Sequence, residues 1–181
     1  LGDDRLILGH RVSEWCGHGP ILEEDIALSN IALDLIGQAN LLLQLAGQVE
    51  GKGRDQDALA YFREAVDFRN ALLCETPNGD FGDTIVRQFL FDAWQSALYE
   101  ALRSSRDAQL AAIAAKAVKE SSYHLRTAGA GRARCTIAGS RRSRASSWPA
   151  TRGPGSASRW RCRGRSSRRR RRSPRPVAQG A

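Results

Sequence analysis

Acidic residues and lysine are missing from residues 127–181, where 16 arginines are the only charged side chains and give +16. Residues 1–126 hold all 19 acidic residues and carry a net −7. The overall charge of +9 therefore describes neither part, and it does not point to a basic nucleic-acid-binding domain. Cysteine is sparse. Cys16, Cys74, Cys135 and Cys162 lie far apart and form no CxxC pair, which excludes a zinc ribbon and a thioredoxin-type motif. Free thiols in a reducing, cytoplasmic compartment are the expectation. No apolar run suited to spanning a bilayer is seen, because the best candidate, IALSNIALDLIGQANLLLQLAGQV, carries Asp34 with Asn and Gln at helical intervals. No secretory leader is visible from Leu1 onward. Strand-like alternation is absent as well, leaving an all-α reading.

What is present in residues 1–126 is helical periodicity. Leu6, Ile7, Val12 and Trp15 give a short, imperfect apolar face that GHGP, residues 17–20, brings to an end. Over residues 23–49, Ile26, Ala27, Ile31, Leu35, Leu42, Leu45, Ala46 and Val49 recur at three- and four-residue steps. Glu23, Glu24 and Asp25 open that segment, where the helix dipole favours negative charge. After the loop GKGRD, a third helix is expected over 56–75 with Leu59, Phe62, Ala65, Val66, Leu72 and Leu73 as its stripe, ended by TPNGD. A fourth, rich in aromatics, covers 83–102, and a fifth starts near Asp107 with Leu110, Ile113, Ala114, Ala117, Val118 and Leu125. Long amphipathic helices on short loops predict an antiparallel helical bundle, and a domain of this size buries enough surface for one core. FLFDAWQSALYEAL carries apolar residues on both sides of its helix, Phe91 and Tyr99 among them, which suits a bundle that packs internally and also against a partner.

Helical bundles can hold two irons between a Glu on each of two helices and a Glu-x-x-His pair on each of two others. The i, i+3 spacing matters because it puts carboxylate and imidazole on one face. Here the fifth helix offers Ser121 and His124, and the third offers Asp67 and Asn70. Asp34 and Asp92 are the single carboxylates on the second and fourth helices. At most Asp34, Asp67, Asp92 and His124 could donate, and Ser121 and Asn70 are poor iron ligands. Glu120 lies about 100° from Ser121 around the helix and faces elsewhere. The expectation is no metal, no cofactor-binding and no catalytic residue in this chain. Asp80 to Gly82, the DFG tripeptide, has no accompanying kinase lysine strand or catalytic loop.

The stretches EWCGHGP, NIALDLIGQA, PNGDFGDTI and KESSYHLR closely resemble the structural, C-type component of the bacterial phenylacetyl-CoA epoxidase complex, and the resemblance spans nearly all of residues 1–126. It implies a ferritin-like fold that has lost its metal ligands and pairs with a related catalytic component, the A-type member of the complex. That partner would hold the di-iron centre and the thioester substrate. Molecular oxygen and NADPH-derived electrons, delivered by a separate reductase, would epoxidise the aromatic ring. The alternatives are a di-iron oxidase or oxygenase with its own site, or an Arg-rich nucleic-acid binder.

From Thr127 the resemblance stops and neither period nor core is apparent. The domain boundary is therefore placed at 126/127, with a tail of Arg, Ser, Pro and Gly ending in SSRRRRRSPRP expected to be disordered. An arginine arm of this kind could bind phosphates in a salt-sensitive way, but no nucleic-acid-binding fold accompanies it. Its composition is better matched by a GC-rich gene read out of frame, since codons for Lys, Asp, Glu and Ile need A or T and only Ile137 appears. Neither nucleic acid nor membrane is an expected partner. A bundle cut short at this point would leave apolar surface bare on the second and fifth helices.

Overall fold

This computed structural model describes the backbone of residues 1–143 and the side chains of residues 1–131. Among the described residues every regular element is helical: α1 (Gly2–Ser13), α2 (Leu22–Glu50), α3 (Gln56–Tyr61), a 3-10 turn (Ala65–Asp67), α4 (Leu72–Glu75), α5 (Phe81–Leu102) and α6 (Ala108–Ser143). The two most extensive packings are α1 on α2 and α5 on α6, and α2 also lies against α6.

Local chemistry sets the ends of the long helices. Gly51 closes α2 in the left-handed conformation at φ 67°, which costs glycine little. Asp80 and Asp83 cap α5 reciprocally, each carboxylate accepting the other's backbone N–H, at 2.9 and 3.1 Å. Asp107 accepts from the N–H groups of Gln109 and Leu110 at the start of α6. The GHGP loop is tied to α2 through Asp25, whose carboxylate accepts from the Gly17 and Gly19 amides at 3.1 and 2.8 Å.

The main core joins α1, α2 and α5 through Leu8, Val12, Leu28, Ile31, Leu35, Ile85 and Phe91. Trp15 meets Phe81 edge-on and donates its indole N–H to Thr84 at 2.9 Å, locking the end of α1 to the start of α5. On α2, Ile31, Leu35 and Leu42 are buried as the periodicity requires, but Ile26 and Val49 are exposed. α2 is, among the described residues, the one helix long and apolar enough by composition to cross a membrane, contrary to the expectation from its polar residues. Half of that apolar window is buried within the bundle.

Three further expectations are corrected. The third helix is not continuous over 56–75. It breaks after Tyr61, where the Leu59 carbonyl accepts from the Arg63 side chain and the Glu64 amide donates to Asp67. Further on, the backbone amides of Arg69 and Ala71 are taken by the carboxylates of Asp3 and Asp4, at 2.9 and 2.7 Å. An amide held by α1 cannot also serve an i−4 carbonyl. The stripe expected to be buried there is largely outside, with Phe62, Val66 and Leu72 each about four-fifths exposed and only Leu59 in the core. The boundary at 126/127 is crossed by α6, which runs unbroken to Ser143. Small residues carry it. Ala128 is buried, and a side chain on Gly131 would meet Ile85 of α5 at 3.3 Å. Finally, α5 does have two apolar sides, but Phe91 and Tyr99 both belong to the inner one. The outer side is made by Val86, Leu90 and Trp94, each about half exposed. The bare apolar surface expected on the second and fifth helices is thus found on α2, at Leu22, Ile26 and Leu33, and on α5, with Tyr123 alone on α6 among the described residues. The disorder and the out-of-frame origin are expected for residues 127–181; over 127–143 the backbone is helical, and residues 144–181, with the arginine run, lie outside the described residues.

Candidate functional site: a buried histidine between two aspartates

Of the four side chains able to donate to a metal, the fold brings three together. His124 of α6 is fully buried, and its Nε2 lies 3.1 Å from Asp34 Oδ2 of α2. Its Nδ1 lies 3.7 Å from Asp92 Oδ1 of α5. Asp67 is elsewhere, in the exposed 3-10 turn, where it accepts from the Glu64 amide. Asn70 is also on the surface, bonded to Glu75.

The inward i, i+3 partner of a carboxylate is Gln95, on α5, a residue that the search for Glu-x-x-His spacing does not single out. Asp92 and Gln95 are both fully buried on one face of α5, and so is Gln88 one turn earlier. Both amide side chains donate to Asp92 Oδ1, Gln88 at 2.8 Å and Gln95 at 2.9 Å. The detectable signal is a Q-x-x-x-D-x-x-Q pattern on the apolar face of an aromatic helix, where three polar residues in register need a reason to be inside. Ser121 is buried beside His124, as its i−3 spacing demands.

A second polar chain crosses the bundle next to this triad. Arg5 Nε donates to the Tyr99 hydroxyl, which donates to Gln38 Oε1, and Gln38 Nε2 donates to Glu120 Oε2, at 2.9, 2.9 and 2.8 Å. Glu120 thus faces α2, one turn from the histidine, and pairs outward with Lys116. Arg5 is completely buried and its guanidinium sits 4.8 to 5.5 Å from the ring centres of Tyr99, Trp94 and Phe91.

Burial works against a charged His124, but the hydrogen bonds and charges of Asp92 and Asp34 outweigh it and hold the imidazole above its ordinary 6.5. Burial pushes Asp92 up from the usual carboxylate range, opposed by His124, Gln88 and Gln95. Cys74 offers no nucleophile, since burial pushes its thiol up to about 12.

A di-iron centre does not fit these residues. Such a centre needs four carboxylates and two histidines converging on the metals. Here one histidine sits between two aspartates, and a glutamine and a serine occupy the remaining inward places. Among the described residues no group of three or more His, Cys, Asp or Glu side chains is arranged to hold a metal ion.

Long helices around a buried polar seam, with paired inward positions at i, i+3, define a ferritin-like helical bundle. The sequence profile of the family described as phenylacetic acid catabolic protein matches residues 1–146, and the chain belongs to that family. Over 126 residues it is 56% identical to the C component, named as a subunit, of the 1,2-phenylacetyl-CoA epoxidase of Escherichia coli (strain K12). The match covers 70% of this chain and 50% of that relative, so the chain spans about half the length of the curated protein it matches.

Proposed function

We propose that this chain is a non-catalytic structural subunit of a phenylacetyl-CoA epoxidase, serving aerobic phenylacetate degradation in the cytoplasm. Its partner is the di-iron catalytic component. Iron belongs to that partner, and reducing equivalents from NADPH reach it through a separate reductase. The observation that carries this reading is the donor set of the interior, where one histidine and two aspartates converge and Gln95 and Ser121 take the remaining inward places. One imidazole and two carboxylates, one of them already holding two glutamine amides, fall short of the four carboxylates and two histidines that a metal pair needs. That the relative is named as one subunit of an epoxidase supports the pairing.

The test is direct. The purified chain is assayed for bound iron and for turnover of phenylacetyl-CoA with a reductase, alone and mixed with a catalytic component of the family. The expected outcome is no stoichiometric iron, no turnover alone, and co-elution with the catalytic component. Two irons per chain, or epoxidation without a companion, would overturn the proposal and point to an oxygenase with its own site.

A further inference from the structure

We infer that His124 is held as an imidazolium and acts as a charged strut that ties α6 to α2 and α5, so that the bundle loosens when its proton is lost. The inference stands on geometry and does not depend on the pairing role proposed above.

Each ring nitrogen faces a carboxylate oxygen on a different helix, at 3.1 Å for Asp34 and 3.7 Å for Asp92. An ionised carboxylate is an acceptor only, and a neutral imidazole has a single N–H. In the neutral ring one nitrogen lone pair would therefore point at a carboxylate oxygen, whereas the doubly protonated ring offers a hydrogen to each side. Asp92 reads as ionised because the amide nitrogens of Gln88 and Gln95 both converge on its Oδ1. Both His124 and Asp92 have fully buried side chains, while Asp34 is 37% exposed and forms the solvent edge of the cluster. Attraction in such a desolvated place is stronger than on a surface.

Other charges nearby do not compete for the ring. From α2 the facing group is Asp34, and from α5 it is Asp92. On α6 itself Glu120 is engaged with Gln38 and Lys116, and the Tyr123 ring stands edge-on at 6.1 Å. From α1, Arg5 is directed to Asp4 and Tyr99.

The sign of the pH dependence follows. His124 has its proton affinity raised on folding, since burial lowers it but the two aspartates more than compensate. Its stabilisation is complete below the ordinary value of 6.5 and is lost as pH rises through the higher folded value. Asp92, raised from the ordinary carboxylate value by burial, must be ionised for the strut to form and so limits it on the acid side only. The strut therefore weakens on the alkaline side.

The experiment is nitrogen NMR of the full chain with 15N-labelled histidine, across roughly pH 5.5 to 9 to bracket the titration, paired with urea unfolding. Substituting the exposed His10 and His18 assigns the His124 signals. The expected result is two protonated ring nitrogens at neutral pH, with the urea midpoint falling as that signal titrates. Asp34→Asn, at the partly exposed edge, should move the His124 titration down by about one pH unit. His124→Gln should flatten the pH dependence of unfolding; if it does not fold, the Asp34→Asn shift decides alone. A His124 carrying one proton at about pH 6.5, or a titration that Asp34→Asn leaves in place, would overturn the inference.

Discussion

Arg5 shows at the scale of one residue why this interior needs polar groups to be matched. Its charge is fully desolvated and lodged among three aromatic rings, with Asp4 3.4 Å away and Tyr99 accepting from Nε. Asp4 keeps the Ala71 amide without Arg5, so the cost of losing Arg5 is the cavity among the three rings and the lost Tyr99 bond, about 2–5 kcal/mol. Arg5→Ala is accordingly expected to take away a large part of the folding stability, since a domain of this size has only about 5–15 kcal/mol in total. Arg5→Met keeps the stem against Phe91, Trp94 and Tyr99 and should recover part of that loss. Urea unfolding of the two variants checks the order. Nothing in the spacing of Arg5 announces this role, because an arginine on a short amphipathic helix reads as a solvated charge until its aromatic neighbours, far along the chain, are known.

At the scale of elements, the helices with strong periodicity are legible in the sequence and the interrupted ones are not. α2 and α5 lie within two residues of their expected limits, because caps such as Asp80 and breaks such as Gly51 act locally. The 56–75 segment departs from its periodicity because its amides are taken by carboxylates, that of Glu64 by Asp67 and those of Arg69 and Ala71 by Asp3 and Asp4, which are distant in sequence. The candidate site divides along the same line. His124, Asp34 and Asp92 sit on regular helices and can be placed by spacing, whereas Asp67 and Asn70 depend on a helix that does not form. α6 past Arg126 is silent in the sequence because Ala and Gly give no apolar period, although they permit close approach to α5. A chain ended after residue 126 should be less stable than one ended after 131 by about 1 kcal/mol, the worth of the buried Ala128 methyl and its surroundings. Thermal unfolding of the two truncations checks this, and equal stability would show that the packing of Ala128 contributes nothing.

The whole molecule is an acidic bundle followed by a basic segment, and the family match to residue 146 extends past the point where the charge changes sign. Single exposed apolar residues on a protein surface need no explanation. Rows of them, Leu22, Ile26 and Leu33 along α2 and Val86, Leu90 and Trp94 along α5, are a different matter and give each helix an apolar outer face. The grip of α1 on the stretch after Tyr61 also reaches beyond the fold itself. Two carboxylates on α1 hold down a loop that carries the exposed Arg69 and the mostly buried Arg63, which pairs with Asp3. Substituting residues 3 and 4 by Asn should turn that stretch into the first place trypsin cuts, without unfolding the rest. Two side chains on one helix thus decide how long a distant loop survives a protease.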